Sequence, residues 1–117
     1  MKRVLIAEDN DSNYILMTYI LKNRYEFERA VDGQQAVDMV MTGRFDLVLM
    51  DIKMPKMDGL EATKLIKEKN PEMPVIALTA NAFASDVQEA LDAGMCAHVS
   101  KPFKKEELIT TICTSLK

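Results

Sequence analysis

An aspartate stands directly after four apolar residues, at Asp51 in the segment LVLMDIKMPKMDG. The apolar residues predict a strand that is covered on both faces, so the strand would carry this carboxylate to the edge of the core. An ionised carboxylate there is costly unless a cation or hydrogen-bond donors meet it. Asp51 is therefore a candidate for a residue that does chemistry.

Polar residues also stand at the ends of other predicted strands. Glu8 and Asp9 follow the first, Thr79 and Ala80 end the fourth and Lys101 follows the fifth. In an open parallel sheet, ligands bind outside the carboxyl ends of the strands. We therefore expect three acids, one hydroxyl and one lysine to converge there.

The acids outnumber the cation at this edge. Glu8, Asp9 and Asp51 carry three negative charges against one from Lys101, and clustered carboxylates do not all stay ionised without more positive charge. Oxygen ligands without His or Cys favour a hard ion, and Mg²⁺ typically takes one or two carboxylates, waters and a phosphate oxygen. The pattern favours a Mg²⁺ site, where Mn²⁺ can substitute, over a bare acidic rim.

A magnesium ion and a lysine together suit a phosphoryl group, whose oxygens need positive charge around them during transfer. Aspartate can attack phosphorus and hold the phosphoryl group as an acyl phosphate. We predict Asp51 as this acceptor because it stands alone at the end of the middle strand, with Glu8 and Asp9 holding the metal. Thr79 would donate its hydroxyl, and Lys101 would pair with a phosphoryl oxygen.

Strand-like and helix-like segments alternate five times, which is typical of a parallel sheet with crossover helices. The second strand is the most polar and is expected at an edge of the sheet. The predicted strands are Arg3 to Ala7, Glu26 to Ala30, Asp46 to Met50, Val75 to Ala80 and Cys96 to Ser100.

Helical spacing and capping residues predict the five helices. The first would turn one face inward, and the second would stop near Gly43. The fourth would end at Ala93 and Gly94, and the fifth would run from about Lys105 to Leu116. The inward face of the first helix comprises Asn13, Leu16, Met17, Ile20 and Leu21, and that of the fifth helix comprises Leu108, Ile109 and Ile112. The predicted capping pairs are Asp32 with Gln35, Asp58 with Glu61 and Ser85 with Gln88.

Length and composition fit one globular domain, residues 1–117. The net charge of −3 argues against a nucleic-acid surface. No apolar run is long enough to span a membrane and no signal peptide is apparent, so we expect a cytoplasmic domain without membrane contact. Cys96 and Cys113 are expected to be small core residues rather than a disulfide or metal site.

The segments AEDN, DLVLMDIKMPKMDG, ALTA and SKPF, in this order, resemble the receiver domain of two-component response regulators over the whole chain. The resemblance implies a doubly wound α/β, flavodoxin-like (βα)5 fold, with strand order 2-1-3-4-5 and helices on two faces, two on one and three on the other. It also implies that the Lys53 carbonyl is a further Mg²⁺ ligand, that the backbone at Lys53 and Ala80 binds the phosphoryl group, and that Pro102 follows a cis peptide.

The resemblance implies a switch as well. Phosphorylation would draw the Thr79 hydroxyl inward, an aromatic residue on the fifth strand would follow it, and the surface of the fourth helix, fifth strand and fifth helix would change for a downstream protein. His98 occupies the aromatic position, and a solvated His without a role is the alternative. Lys53 is another departure, either a solvated lysine or one whose ammonium leans over the phosphoryl group or Glu8.

The segments EDNDSN and ALTANAFA resemble receivers attached to hybrid histidine kinases more than those fused to DNA-binding domains. The partners implied are a histidine kinase or histidine phosphotransfer domain. The domain would not be an enzyme, beyond catalysing its own phosphorylation and dephosphorylation. Two alternatives remain: an adaptor that works without phosphorylation, and a metal-dependent phosphohydrolase, for which the chain leaves no room for a substrate cap.

Overall fold

Five strands and five helices alternate in a computed structural model, which describes residues 1–80, 84–101 and 103–116, without the side chains of residues 84–86. The strands are β1 (Arg3–Ala7), β2 (Glu26–Ala30), β3 (Leu47–Asp51), β4 (Val75–Thr79) and β5 (Ala97–Ser100). The helices are α1 (Asp11–Leu21), α2 (Gly33–Val40), α3 (Gly59–Lys69), α4 (Ala84–Ala93) and α5 (Lys105–Ser115).

All strand pairs are parallel, and the sheet order is β2-β1-β3-β4-β5. The predicted order is confirmed, as is the edge position of the polar strand β2. Strand β3 lies in the middle with β1 and β4 beside it, so the carboxyl ends of these three strands are neighbours. This arrangement places Glu8, Asp51 and Thr79 next to one another.

The core has two layers because successive strand residues face opposite sides of the sheet. Val4 and Ile6 of β1 pack with α1 and α5, whereas Leu5 and Ala7 pack with α2, α3 and α4. The division into two helices and three helices is therefore confirmed. Both layers are closed by aliphatic side chains that are fully buried, so β1, β3 and β4 form a rigid base for the polar residues at their ends.

Side-chain caps fix where three of the helices begin. Asn10, Asp32 and Asp58 each accept a hydrogen bond from a backbone N–H three residues further on, as N-caps do. The capping roles of Asp32 and Asp58 were predicted, whereas that of Asn10 was not. The predicted capping role of Ser85 falls on a side chain outside the described residues.

Several expectations from the sequence are wrong in detail. Asp51 is the last residue of β3 rather than the residue after it, because its backbone still pairs with Leu78 of β4. Leu16 is 38% exposed because it lies at the margin of the α1 face that Met17 and Leu21 bury. Cys96 and Cys113 are free and exposed rather than core residues. Cys96 precedes the edge strand β5, and Cys113 lies on α5 with its Sγ 3.3 Å from the Tyr25 hydroxyl.

Candidate functional site

Three carboxylates meet at the carboxyl ends of β1 and β3. Glu8, Asp9 and Asp51 each place one oxygen within 4.8 Å of the others, which is close enough for a shared metal ion. Glu8 is fully buried and Asp51 is 5% exposed, whereas Asp9 is exposed. The predicted metal-binding acids are thus brought together, with two at the base of the site and one at its mouth.

Lys101 reaches the same cluster from the end of β5. Its Nζ lies 3.3 Å from Glu8 Oε1 and 3.4 Å from Asp51 Oδ1. The backbone N–H of Lys101 donates to the Thr79 carbonyl at 2.7 Å, which fixes the start of the side chain beside β4. The ammonium is therefore shared between two buried acids, as the charge pattern predicts.

The pKa of Asp51 is raised from 3.8 to about 7. Burial is the largest cause, the neighbouring Glu8 carboxyl adds to the rise, and Lys101 opposes it. The physical reason is that one ammonium does not neutralise two buried carboxylates. Glu8 Oε1 supports the same conclusion, because it is buried and has no hydrogen-bond partner among the described residues. The cluster is short of positive charge.

Thr79 supplies a hydroxyl on the other side of Asp51. Its side chain is 3% exposed, and within the described part of the chain its Oγ1 is buried without a hydrogen-bond partner. A buried unsatisfied hydroxyl costs free energy, so such groups in native proteins call for an explanation. A ligand that accepts a hydrogen bond at this position would provide one.

The loop after β3 carries Lys53 over the site, and two glycines hold this loop against its neighbours. Gly59 N–H donates to the Ile52 carbonyl at 2.7 Å, and Gly33 N–H donates to the Met57 carbonyl at 3.1 Å. A Cβ atom at either glycine would overlap backbone atoms of the opposite segment. These contacts therefore require glycine at both positions.

A cleft of about 250 Å³ lies above the acids. The predicted residues Glu8, Asp9, Asp51, Lys53, Thr79, Ala80 and Lys101 all line it. Sequence reasoning missed Glu89, which reaches the cleft from α4, and did not assign Asn13 to the site, although Asn13 belongs to the EDNDSN segment. No sequence signal marks Glu89, because an exposed glutamate is ordinary on a helix.

Of the remaining predicted residues, one does not line the cleft and one is not described. His98 is exposed on β5, where it pairs in register with Ala77, and it does not line the cleft. Pro102, the predicted cis-proline, lies outside the described residues. The part of the chain that the structure describes contains no helix with the length and apolar character needed to cross a bilayer.

The sheet order and the cleft define an α/β domain that gathers acids, a threonine and a lysine at the carboxyl ends of parallel strands. The family model for the response regulator receiver domain matches residues 4–113, and the chain belongs to this family. It is a signalling receiver domain of two-component phosphorelays, which confirms the predicted resemblance.

Proteins with a similar sequence include a hybrid histidine kinase. The chain is 36% identical to hybrid signal transduction histidine kinase B of Dictyostelium discoideum over 93% of its own length and 6% of that protein. It therefore spans only a small part of this relative.

Solved structures match the fold closely. The receiver domain of sensor histidine kinase PA1611 from Pseudomonas aeruginosa, solved with a magnesium ion in its active-site cleft, is 36% identical, with a TM-score of 0.91 and coverage of 98% and 97% of the two chains. The receiver domain of Ssk1 from Saccharomyces cerevisiae, solved with the histidine phosphotransfer protein Ypd1, is 29% identical, with a TM-score of 0.89 and coverage of 95% and 86%.

Proposed function

We propose that Asp51 accepts a phosphoryl group from a phosphohistidine and that Mg²⁺ is required for the transfer. The single observation that carries this proposal is the shared position of Asp51: nearly buried, within reach of two other carboxylates, and 3.4 Å from the Lys101 ammonium. A carboxylate placed in this way is a nucleophile with a positive partner for the incoming oxygens.

The residues at the site fit a hard dication. Glu8, Asp9 and Asp51 supply oxygen ligands, and we assign the Lys53 carbonyl as a further ligand. Glu8 Oε1 shares the Lys101 ammonium with Asp51 and makes no hydrogen bond among the described residues, so it is an acceptor that a cation would satisfy. Bound Mg²⁺, or Mn²⁺ in its place, would neutralise the carboxylates and draw charge from the phosphoryl oxygens.

In the transfer, an Asp51 carboxylate oxygen forms a bond to phosphorus while the bond between phosphorus and the donor imidazole nitrogen breaks. The electron pair of that bond leaves with the imidazole, and Asp51 holds an acyl phosphate. Lys101 Nζ pairs with one phosphoryl oxygen, and the Thr79 hydroxyl donates to another. The backbone N–H groups at Lys53 and Ala80 are assigned to the same oxygens. Water then attacks the phosphorus, the bond between phosphorus and the Asp51 oxygen breaks, and the carboxylate is restored as inorganic phosphate leaves.

We further propose that the phosphorylated state is read at the surface of α4, β5 and α5. The Thr79 side chain would move when its hydroxyl binds the phosphoryl group. Because Thr79 pairs in register with Ser100 of β5, this movement would be passed to β5. His98 lies two residues earlier on the same strand and is exposed, so it is available to change orientation with β5. A downstream protein would bind this surface.

The donor would be a histidine kinase or a histidine phosphotransfer domain, and the Ssk1 receiver supports the latter because it was solved with such a protein. We place the domain, residues 1–117, in the cytoplasm, with no membrane or nucleic-acid contact of its own. The domain would catalyse only its own phosphorylation and dephosphorylation.

Acetyl phosphate with Mg²⁺, followed by intact-mass measurement, tests this function. We expect one added phosphoryl group in the wild type and none in Asp51→Asn. Asp58→Asn is the matched control, since it changes an acid of the same loop that only caps α3, and asparagine caps equally well. A wild-type chain that gains no phosphoryl group would favour the adaptor alternative, and turnover without an adduct would favour a phosphohydrolase.

A further inference from the structure

Arg29, at the carboxyl end of β2, joins three segments beside the acidic cluster. Its Nε donates to the Glu8 carbonyl at 3.0 Å, and its Nη2 donates to Asp11 Oδ1 at 2.8 Å. Its guanidinium carbon lies 4.6 Å from the centre of the Tyr14 ring, and the side chain is only 23% exposed. One side chain therefore connects the end of β1 to the first turn of α1.

This connection reaches the Glu8 carboxylate in two steps. The Glu8 backbone is held on both sides, because its N–H donates to the Ala30 carbonyl at 3.0 Å and its carbonyl accepts from Arg29. Glu8 Oε2 then accepts from the Asn10 N–H at 3.2 Å. The other oxygen, Oε1, is left to face Lys101.

We propose that Arg29 is a positioning residue for the metal site. It holds the turn from β1 into α1 so that Glu8 and Asp9 present their carboxylates to a divalent cation without rearrangement. This inference rests on the proposed function of the cleft. Arginine suits the task because its planar fork reaches two acceptors while its face packs on an aromatic ring, which lysine cannot reproduce. Groups that orient metal ligands from behind commonly control metal affinity.

The positive charge of Arg29 and its positioning role have opposite effects on Mg²⁺ affinity, so the direction of the change in affinity tests the inference. The Arg29 Nε contacts the Glu8 backbone carbonyl at 3.0 Å, so the guanidinium charge lies beside a residue that is assigned to the metal. Its positive charge alone would repel a dication. Neutralising Arg29 would strengthen Mg²⁺ binding if charge were its only effect, whereas loss of positioning would weaken binding.

The experiment is calorimetric titration of the full chain with Mg²⁺ in wild type and Arg29→Gln. We expect the dissociation constant to rise about tenfold, the lower end of the range for outer-shell ligand partners. Arg3→Gln is the matched control: Arg3 also pairs with a β2 acid, Glu28, and lies over an aromatic ring, Phe45, but at the opposite end of the sheet. It should leave the Mg²⁺ affinity unchanged.

Amide hydrogen exchange in metal-free protein gives a second readout. The Asn10 amide, which donates to Glu8 Oε2, should exchange faster in Arg29→Gln relative to core strand amides, and it should not do so in Arg3→Gln. Unchanged or tighter Mg²⁺ binding in Arg29→Gln would overturn the inference.

Arg29→Lys covers the case in which Arg29→Gln does not fold. It keeps the charge but not the fork, so we expect weaker Mg²⁺ binding than in the wild type, and a wild-type affinity would overturn the inference. If the wild type itself binds no Mg²⁺, the proposed function fails. Asn10 exchange then decides the inference by itself, and unchanged exchange in Arg29→Gln overturns it.

Discussion

Lys101 Nζ lies 3.4 Å from Asp51 Oδ1, so a residue after the edge strand β5 contacts the last residue of the central strand β3. The contact crosses the end of β4, where Thr79 is buried. The ammonium can therefore pair with an oxygen of any group that binds to Asp51. The sheet fixes the direction from which it approaches. Under the proposed function, this relationship would make the lysine a partner for a phosphoryl group and not only a counterion.

Replacing Lys101 by methionine should slow phosphorylation of the domain by acetyl phosphate about 10²- to 10³-fold, the usual effect of removing one group that stabilises developing charge. Methionine keeps the length and loses the charge. The rate is measured by intact mass over time. Lys104→Met changes an exposed lysine three residues further on and should keep the wild-type rate. A wild-type rate in Lys101→Met would contradict the assigned role.

Asp51→Asn should stabilise the metal-free domain at pH 8. The pKa of Asp51 is raised to about 7 in the folded state from 3.8, so the folded state holds a proton that the unfolded state has lost. The wild-type free energy of unfolding therefore falls as pH rises from about 4 to about 7 and stays lower above that range. At 1.36 kcal/mol per pKa unit, a rise from 3.8 to about 7 corresponds to a gain in the variant on the order of 4 kcal/mol.

Urea denaturation at pH 4 and pH 8 measures this gain, which should be absent at pH 4. Mg²⁺ should reverse the order at pH 8, because a ligand that binds the folded wild type stabilises it. Equal free energies of unfolding for the two proteins at pH 8 without metal would show that the surroundings do not destabilise the ionised Asp51 carboxylate.

Gly33→Ala should lower both stability and phosphorylation. The new Cβ would overlap the Met57 carbonyl, so the loop that carries Lys53 must move away from α2. Overpacking of this kind costs about 1–3 kcal/mol, measured by urea denaturation. Gln34→Ala, at the next and exposed position of α2, is the control. A variant with wild-type stability would mean that the loop adjusts without cost.

Lys53→Ala should change the rate at which the phosphorylated domain loses its phosphoryl group. Lys53 is exposed and lines the cleft, so its ammonium is placed to lean over the phosphoryl group or Glu8 and to alter the access of water. Loss of the added mass over time gives the rate. Lys64→Ala, an exposed lysine of α3, should behave as wild type. An identical rate in Lys53→Ala would leave Lys53 as a solvated loop residue.

The order of elements and the main site residues could be predicted because they depend on local patterns. Short apolar segments alternating with capped helices define a parallel sheet, and a parallel sheet brings its carboxyl ends together. Glu8, Asp9, Asp51, Thr79 and Lys101 follow from that rule alone.

Other features depend on tertiary packing, which one sequence does not reveal. Neighbouring acids Glu8 and Asp9 differ completely in burial, with Glu8 at the base of the site and Asp9 at its mouth. Arg29 looks like a solvated charge on a polar edge strand, and its contact with the Glu8 carbonyl depends on the pairing of β1 with β2. Cys96 and Cys113 have apolar sequence neighbours, yet both are exposed.

The most direct test locates the phosphoryl group. After treatment with acetyl phosphate, borohydride reduction converts an aspartyl phosphate to homoserine, and peptide mass spectrometry identifies the changed residue. We predict conversion at Asp51, only when Mg²⁺ is present. Conversion at another residue, or equal conversion at Asp51 after removal of divalent metal, would contradict the account.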